Sequence, residues 1–218
     1  MPGRTIRPPS SRDGETEQRI LDAARRVFLR DGTAGTRMQE IAREAGVNQA
    51  LLHYYFRSKE RLSTAVFQQI AGRIFPTIAQ VLTGPSSLDD KIDRLVATYL
   101  DTLAANPFIP AYIISELHHH PDRIQQSLTG VIGSDPRSMM RGVLQQLGKQ
   151  IDERVRAGKM REITPQEFVI NLLSLCVFPF AAKPMFEIIL GMDDAAFKRF
   201  IRQRKKELPD FFRNALEP

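Results

Sequence analysis

The sequence predicts an all-α protein of about nine helices, with a small N-terminal helix-turn-helix domain and a larger C-terminal helical domain. Three observations carry that prediction. Apolar residues recur at i, i+3, i+4 and i+7 along nearly the whole chain, the period of a helix with one buried face. Helix punctuation recurs with them: Asn48, Ser58, Ser87, Asp135-Pro136 and Thr164-Pro165 are start signals, and Gly32, Gly46, Gly158 and Gly191 stand where helices end. Finally, no segment alternates apolar and polar residues as a half-buried strand does, and no internal repeat is present.

From the N-terminus, residues 1–14 are rich in Pro, Ser, Gly and Arg and are expected to be a disordered basic arm, with Arg4, Arg7 and Arg12 within reach of phosphates or a minor groove. A helix over 15–31 follows, with Ile20, Ala23, Ala24, Val27 and Phe28 as its inner stripe and Gly32 as its stop. Thr36 is the expected cap of a second helix, in which Met38, Ile41, Ala42 and Ala45 share one face. Gly46 ends it in the backbone region that tolerates positive φ, Val47 plugs the corner, and Asn48 caps a third helix over 49–56. With Leu52 at the centre of its inner face, Phe56, Asn48 and Tyr55 lie within about 60° of that centre at 100° per residue. Ala50, His53 and Tyr54 then point away, and Leu51 lies to one side. A helix too short to stand alone, outwardly lined with a small residue, an imidazole and a phenol, suits a major groove.

The stretch Gly46-Val47-Asn48-Gln49-Ala50-Leu51-Leu52-His53-Tyr54-Tyr55-Phe56, followed by Arg57-Ser58-Lys59-Glu60-Arg61-Leu62, resembles the DNA-binding signature of the TetR/AcrR family of one-component repressors. Ile41-Ala42 and Ala45-Gly46-Val47 agree with it. The departures are Asn48, where Ser is commoner, and His53, where Tyr is commoner; both still hydrogen-bond. The resemblance covers residues 15–65 by motif and the rest by architecture. It implies that Gln49, Ala50, Leu51, His53 and Tyr54 face DNA. Gln49 can pair with an adenine edge, and Ala50 or Leu51 can meet a thymine methyl. Asn48 and Gln39 complete the set, and His53, Tyr54, Lys59 and Arg37 are candidates for phosphate. A cation in the first turn of a helix gains nothing from the dipole, which favours a contact role for Lys59.

Charge agrees with this placement. The 218 residues carry a net charge of +6. Residues 1–62 hold 12 Lys and Arg against 8 Asp and Glu, leaving +4; the remainder holds 19 against 17, leaving +2. The excess therefore sits on the smaller N-terminal part, as a phosphate-binding domain requires. The single cysteine, Cys176, allows no intrachain disulfide, fits a reducing cytosol, and reads as a small core residue. The N-terminus lacks the apolar segment of a signal peptide. The longest apolar run, 168–182, is interrupted by Asn171, Ser174 and Pro179 and falls short of the ~20 residues a membrane span needs. The expected location is the cytoplasm.

Beyond the motif, a long helix over 59–82 carries Leu62, Val66, Ile70, Ile74, Ile78 and Leu82, with Pro76 expected to kink it. It joins the DNA-binding domain, 15–62, to an effector-binding and dimerisation domain, 63–218. Helices are expected over 88–105, 108–119 and 136–157, with a short helix and a Gly-bearing loop over 121–133. The next, about 165–190, is apolar almost all round and bent by Pro179 and Pro184; the last runs about 194–215 with a kink before Pro209. Two late, very apolar helices offer more buried surface than one domain needs. The family resemblance implies that the last two long helices pair with their mates into a homodimer, which would set two reading helices on a palindromic operator.

A small-molecule effector pocket is expected in the C-terminal domain, lined by Phe75, Ile78, Tyr99, Leu103, Phe108, Tyr112, Glu116, Met140, Leu147, Leu175 and Phe178. Glu116, amid apolar neighbours, is either an anchor for a cationic effector or half of an internal ion pair with an Arg. His118-His119-His120 cannot share one metal ion, because consecutive helical residues point 100° apart; they read as cations at a helix end. No metal and no cofactor are expected. An enzyme is disfavoured, since no Cys–His pair, HxxxH or Gly-rich phosphate loop is present. A ligand-free architectural DNA-binding protein is the third class, distinguished by binding without sequence preference. The basic run Lys198, Arg199, Arg202, Arg204, Lys205 and Lys206 reads as a solvated helix face.

Overall fold

The computed structural model describes residues 11–218, with side chains from residue 13 onward. These residues form eleven helices and no strands: α1 Ser11–Gly35, α2 Met38–Ala45, α3 Gln49–Phe56, α4 Lys59–Thr83, α5 Leu88–Ala105, α6 Ile109–His119, α7 Pro121–Ile132, α8 Pro136–Arg156, α9 Pro165–Ala181, α10 Lys183–Leu190 and α11 Asp194–Asn214. The expected basic arm falls largely on residues 1–10, outside the described residues. Residues 11–14, assigned to that arm from composition, are instead the first turn of α1.

The difference between eleven helices and about nine has two sources. The 121–132 segment is a full helix, α7, closed by Gly133 in the left-handed conformation. The segment expected as one bent helix over 165–190 is two, with an angle of 64° between α9 and α10 at Ala182. Pro184 lacks the N–H needed to continue the ladder of α9, so the chain restarts with that proline in the first turn of α10. α4 and α11 run on as single helices through Pro76 and Pro209. No single helix among the described residues is long and apolar enough to cross a membrane; α9 and α10 reach that composition only as a bent pair.

Most caps are those the residue types call for. Ser87 accepts from Asp90 N, Asp135 from Arg137 N and Ser138 N, and Thr164 forms a capping box with Glu167. One expectation changes: Thr36 does not cap α2. Arg37 takes that position without a side-chain bond, and the Thr36 hydroxyl turns back to donate to Gly32 O at 2.7 Å. Gly32, at φ 71° and ψ 161°, breaks the helical path of α1 and makes that carbonyl available.

α1 packs on α2, α4 and α6; α4 runs from α3 into the body, where it packs on α5, α7 and α8; α5 packs on α9 and α11. A single apolar core therefore runs from Ile20 and Leu52 in the N-terminal helices through Leu62, Val66 and Ile70 of α4 to Leu100, Leu147 and Phe168 in the body. The boundary expected at residues 62 and 63 lies inside α4, so a movement of that connector moves α3 with it.

Candidate nucleic-acid interface

Helix α3 owes its existence to its start and one face. Gly46, at φ 63°, closes α2 with a Schellman arrangement, its N–H donating to Arg43 O at 3.1 Å and that of Val47 to Ala42 O at 3.0 Å. Asn48 Oδ1 accepts from Leu51 N at 2.7 Å and starts α3. Leu52 is fully buried and Phe56 nearly so, seating α3 against the α1–α2 core. The Tyr55 hydroxyl donates to Asp13 Oδ1 at 3.2 Å and braces α3 against the start of α1.

The opposite face is open. Gln49, Ala50, His53 and Tyr54 are exposed, Tyr54 by 76%, and Leu51 is half-buried at the side. Those sequence-predicted residues lie on one face of one helix. Arg37 and Gln39 are exposed at the start of α2. His53 Nδ1 lies 3.3 Å from Arg57 O, which orients the ring from its own helix end. Lys59 is less free than expected: its ammonium donates to Thr36 O at 3.2 Å and to Ala34 O at 3.4 Å, satisfying carbonyls left over at the end of α1.

The electrostatics favour an anion on this side. Glu44 is paired with Arg26, and Asp31 and Glu40 are paired with Arg30, along the α1–α2 flank. Arg37, Arg43, Arg57 and Arg61 are exposed and have no carboxylate partner among the described residues. The net positive charge of this end is thus concentrated on side chains that remain available to phosphates.

The predicted effector lining is dispersed. Ile78, Tyr99 and Leu103 meet around a hollow of about 30 Å³ between α4 and α5, together with Arg73 and Thr102. A neighbouring hollow of about 50 Å³ adds Arg25, Gln69 and Asn106. Both are far below the ~300 Å³ of ordinary ligand pockets. Leu147 is fully buried core; Phe75, Met140 and Leu175 are half-buried. Phe108 and Phe178 depart from the expected lining: they are 51% and 55% exposed, Phe108 at the N-cap of α6 and Phe178 on α9 with one edge against Phe186 of α10. The larger concavities, of about 540 and 640 Å³, are surface grooves lined mainly by charged and polar side chains. Burial pushes the Tyr99 phenol and the Cys176 thiol up to about 12, so Cys176 is an inert core residue. His119 Nδ1 bonds Ser115 O at 2.8 Å within its own helix.

Glu116 is buried and paired with Arg123 of α7, the ion-pair alternative of the two open from sequence. Ser63, Thr33 and Arg123, which join it, carried no sequence signal. Lys91 did: it stands between Leu88 and Leu95 on the apolar stripe of α5. It is fully buried, donates to Gln150 Oε1 at 2.7 Å, and burial lowers its pKa.

Two family models match the chain. Residues 20–66 match the bacterial regulatory proteins of the tetR family, and residues 89–206 match a tetracyclin repressor-like C-terminal domain. The HTH-type transcriptional regulator BetI of Rhizobium meliloti is 32% identical over 98 residues, 45% of this chain and 47% of its own. The HTH-type transcriptional repressor SCO4008 of Streptomyces coelicolor is 32% identical over 123 residues, 52% of this chain and 60% of its own. The chain thus spans about half the length of the curated relatives it matches. Among solved structures, the transcriptional regulator FadR from Bacillus subtilis, in complex with stearoyl-CoA, superimposes with a TM-score of 0.60 at 15% identity, covering 89% of this chain and 96% of that one. The model that matches residues 89–206 covers more than half of the chain, and with the helix-turn-helix built by α2 and α3 it places this protein in the tetR family of bacterial regulatory proteins.

Proposed function

We propose that the protein is a ligand-responsive repressor that binds a palindromic operator as a homodimer and leaves it when a small-molecule effector binds the C-terminal domain. The observation that carries the reading is the outer face of α3, where Gln49, Ala50, His53 and Tyr54 are exposed on a helix whose other face is locked into the core. In this reading Gln49, Ala50 and Leu51 meet base edges, while Arg37, Gln39, Asn48, His53, Tyr54 and Lys59 hold the backbone. Lys59 has three donors, so it can keep its α1 carbonyls and still approach a phosphate. Residues 15–62 act as the reading domain and 63–218 as the sensing and dimerising domain.

The dimer is supported by apolar surface that the described residues of one chain leave exposed. Ile170 and Phe178 on α9, Ile188, Ile189 and Leu190 on α10, and Phe211 on α11 are all more than half exposed. Burial of such side chains between two copies removes a large apolar patch from water. A dimer also doubles the reading helices, which one eight-residue helix needs for specificity. Effector binding opens the small hollows between α4 and α5 and shifts α4. This requires that the effector bind the two states with different affinity.

The test is selection of duplexes from a random pool followed by footprinting. A discrete footprint of two inverted half-sites about one DNA turn apart supports the reading. Uniform, strongly salt-dependent binding to every duplex would replace it with an architectural role.

A further inference from the structure

A chain of buried polar groups runs from the end of α1 to α7. Thr33 Oγ1 lies 3.5 Å from Ser63 Oγ, Ser63 Oγ lies 3.2 Å from Glu116 Oε2, and Arg123 closes on that same carboxylate oxygen. Tyr112 joins from the side, its hydroxyl 3.4 Å from both Ser63 Oγ and the Ser63 carbonyl. Thr33, Ser63, Tyr112 and Glu116 are all buried. One group comes from the kinked end of α1, one from α4, two from α6 and one from α7.

Proton bookkeeping gives this chain a direction. An ionised carboxylate only accepts, and Ser63 has a single hydroxyl proton. Ser63 therefore donates to Glu116 and accepts from Thr33, while the single Tyr112 proton goes to the Ser63 carbonyl. Glu116 sets the direction of the Ser63 hydroxyl and, through it, of the bond from Thr33. In a low-dielectric interior such a series is mutually polarised, and losing one member leaves others unsatisfied. An apolar contact can slide by an ångström at small cost; a hydrogen bond to a buried carboxylate cannot.

What hangs on the chain is the segment 32–36. Gly32 leaves the helical path there, Thr36 bonds back to Gly32 O, and Lys59 holds the carbonyls of Ala34 and Thr36. The next residues are Arg37 and α2. Thr33 thus ties the entry to the helix-turn-helix, through Ser63, to a carboxylate fixed between α6 and α7.

We infer that Ser63 and Glu116 are positioning residues for DNA reading: the buried chain Thr33–Ser63–Glu116–Arg123 latches the helix-turn-helix to α6 and α7, so that a shift of those helices is passed to the reading helix. This rests on the DNA-binding role proposed above. The latch acts beside the apolar continuity through α4 and gives α6 and α7 a route to α2 that bypasses the length of the connector.

The test measures the distance between nitroxides on α2 and α8, at Arg43→Cys and Lys149→Cys, both exposed positions. Labelled chains are diluted with unlabelled ones, and buried Cys176 stays unlabelled. In Glu116→Gln the distance distribution broadens or shifts relative to the wild type. In unlabelled protein, affinity for a duplex selected by the wild type falls about tenfold, within the usual range of coupling between sites. Thr33→Val and Ser63→Ala give the same broadening if Glu116→Gln does not fold, and the double variant adds little to either, as members of one chain must. Distributions that superimpose on the wild type in all folded variants, whatever happens to the melting temperature, overturn the inference and leave the chain a structural brace. If the wild type selects no duplex, the DNA-binding role fails; the distance measurement still decides the latch.

Discussion

The reading head, α1 to α3, and the body, α4 to α11, treat polar groups in opposite ways. Among the described residues the head buries no charged side chain; its buried polar members are Thr33 and Thr36, at the junction. Glu44, Asp31 and Glu40 are neutralised along one flank, while Arg37, Arg43, Arg57 and Arg61 stay exposed without a carboxylate partner among the described residues. The body buries Glu116 and Lys91, while leaving large apolar side chains such as Phe178 and Ile188 in the open. A head built this way presents positive charge outward. A body built this way presents apolar side chains outward and holds internal polar groups whose geometry can be set or broken.

The comparison can be broken most severely in the head's core. Leu52→Ala should cost ~2–5 kcal/mol, the usual range for emptying a buried leucine site. Because Leu52 and Phe56 are the two buried anchors of α3 and Leu52 lies at the centre of its inner face, DNA binding should disappear with it; thermal melting and a gel shift check both. On the body's open face, Phe178→Glu should leave the fold intact and convert the dimer to a monomer in light scattering. Operator affinity should then fall by at least ~100-fold, since specific binding exceeds what one half-site supplies.

The outer face of α3 should respond without loss of stability. Gln49→Ala should cost ~1–3 kcal/mol of operator affinity and relax the preference at one base position. Arg37→Ala should weaken all duplexes alike and reduce the salt dependence by about one phosphate contact. Equal loss on every sequence for Gln49→Ala would move that residue from base to backbone.

Two smaller effects sharpen the contrast. Asn48→Ala removes the cap of α3 and should cost ~1 kcal/mol, seen in melting and in amide exchange of the first turn of α3. Lys91 gives the body a pH signature. Burial lowers its pKa in the folded protein, so the unfolded chain binds more protons between the lowered value and about 10.4. The cost of burying the charge is present in full below the lowered value and is relieved as pH rises through that window, so stability rises with pH there. Denaturant melts at a series of pH values should show that slope in the wild type and lose it in Lys91→Met.

Much of the head was legible in the sequence because local rules govern it. Gly46 must tolerate positive φ, Asn48 must cap, and a period of 3.6 sends Leu52 inward and Tyr54 outward. The exception is Thr36. Its capping role was cancelled by Gly32, whose departure from the helix presents a carbonyl within reach, a tertiary detail that no spacing reveals. The body was legible as helices and less so as a site. Phe108, Leu147 and Phe178 share a composition, yet one is core and two lie at the surface. Core, partner face and pocket are lined by the same residue types, and periodicity cannot tell them apart.

By itself the sequence determined the all-α class, the helix-turn-helix with its exposed outer face, most caps and most helix boundaries, because these depend on residues within a turn or two of one another. Only the tertiary structure decided that Glu116 meets Arg123 and Ser63, that Lys59 closes the end of α1, that Lys91 lies wholly inside, and that α9 and α10 part by 64°. Those outcomes depend on which helices meet, and residues 7 to 59 positions apart are brought into contact by packing, which leaves no local mark on the chain.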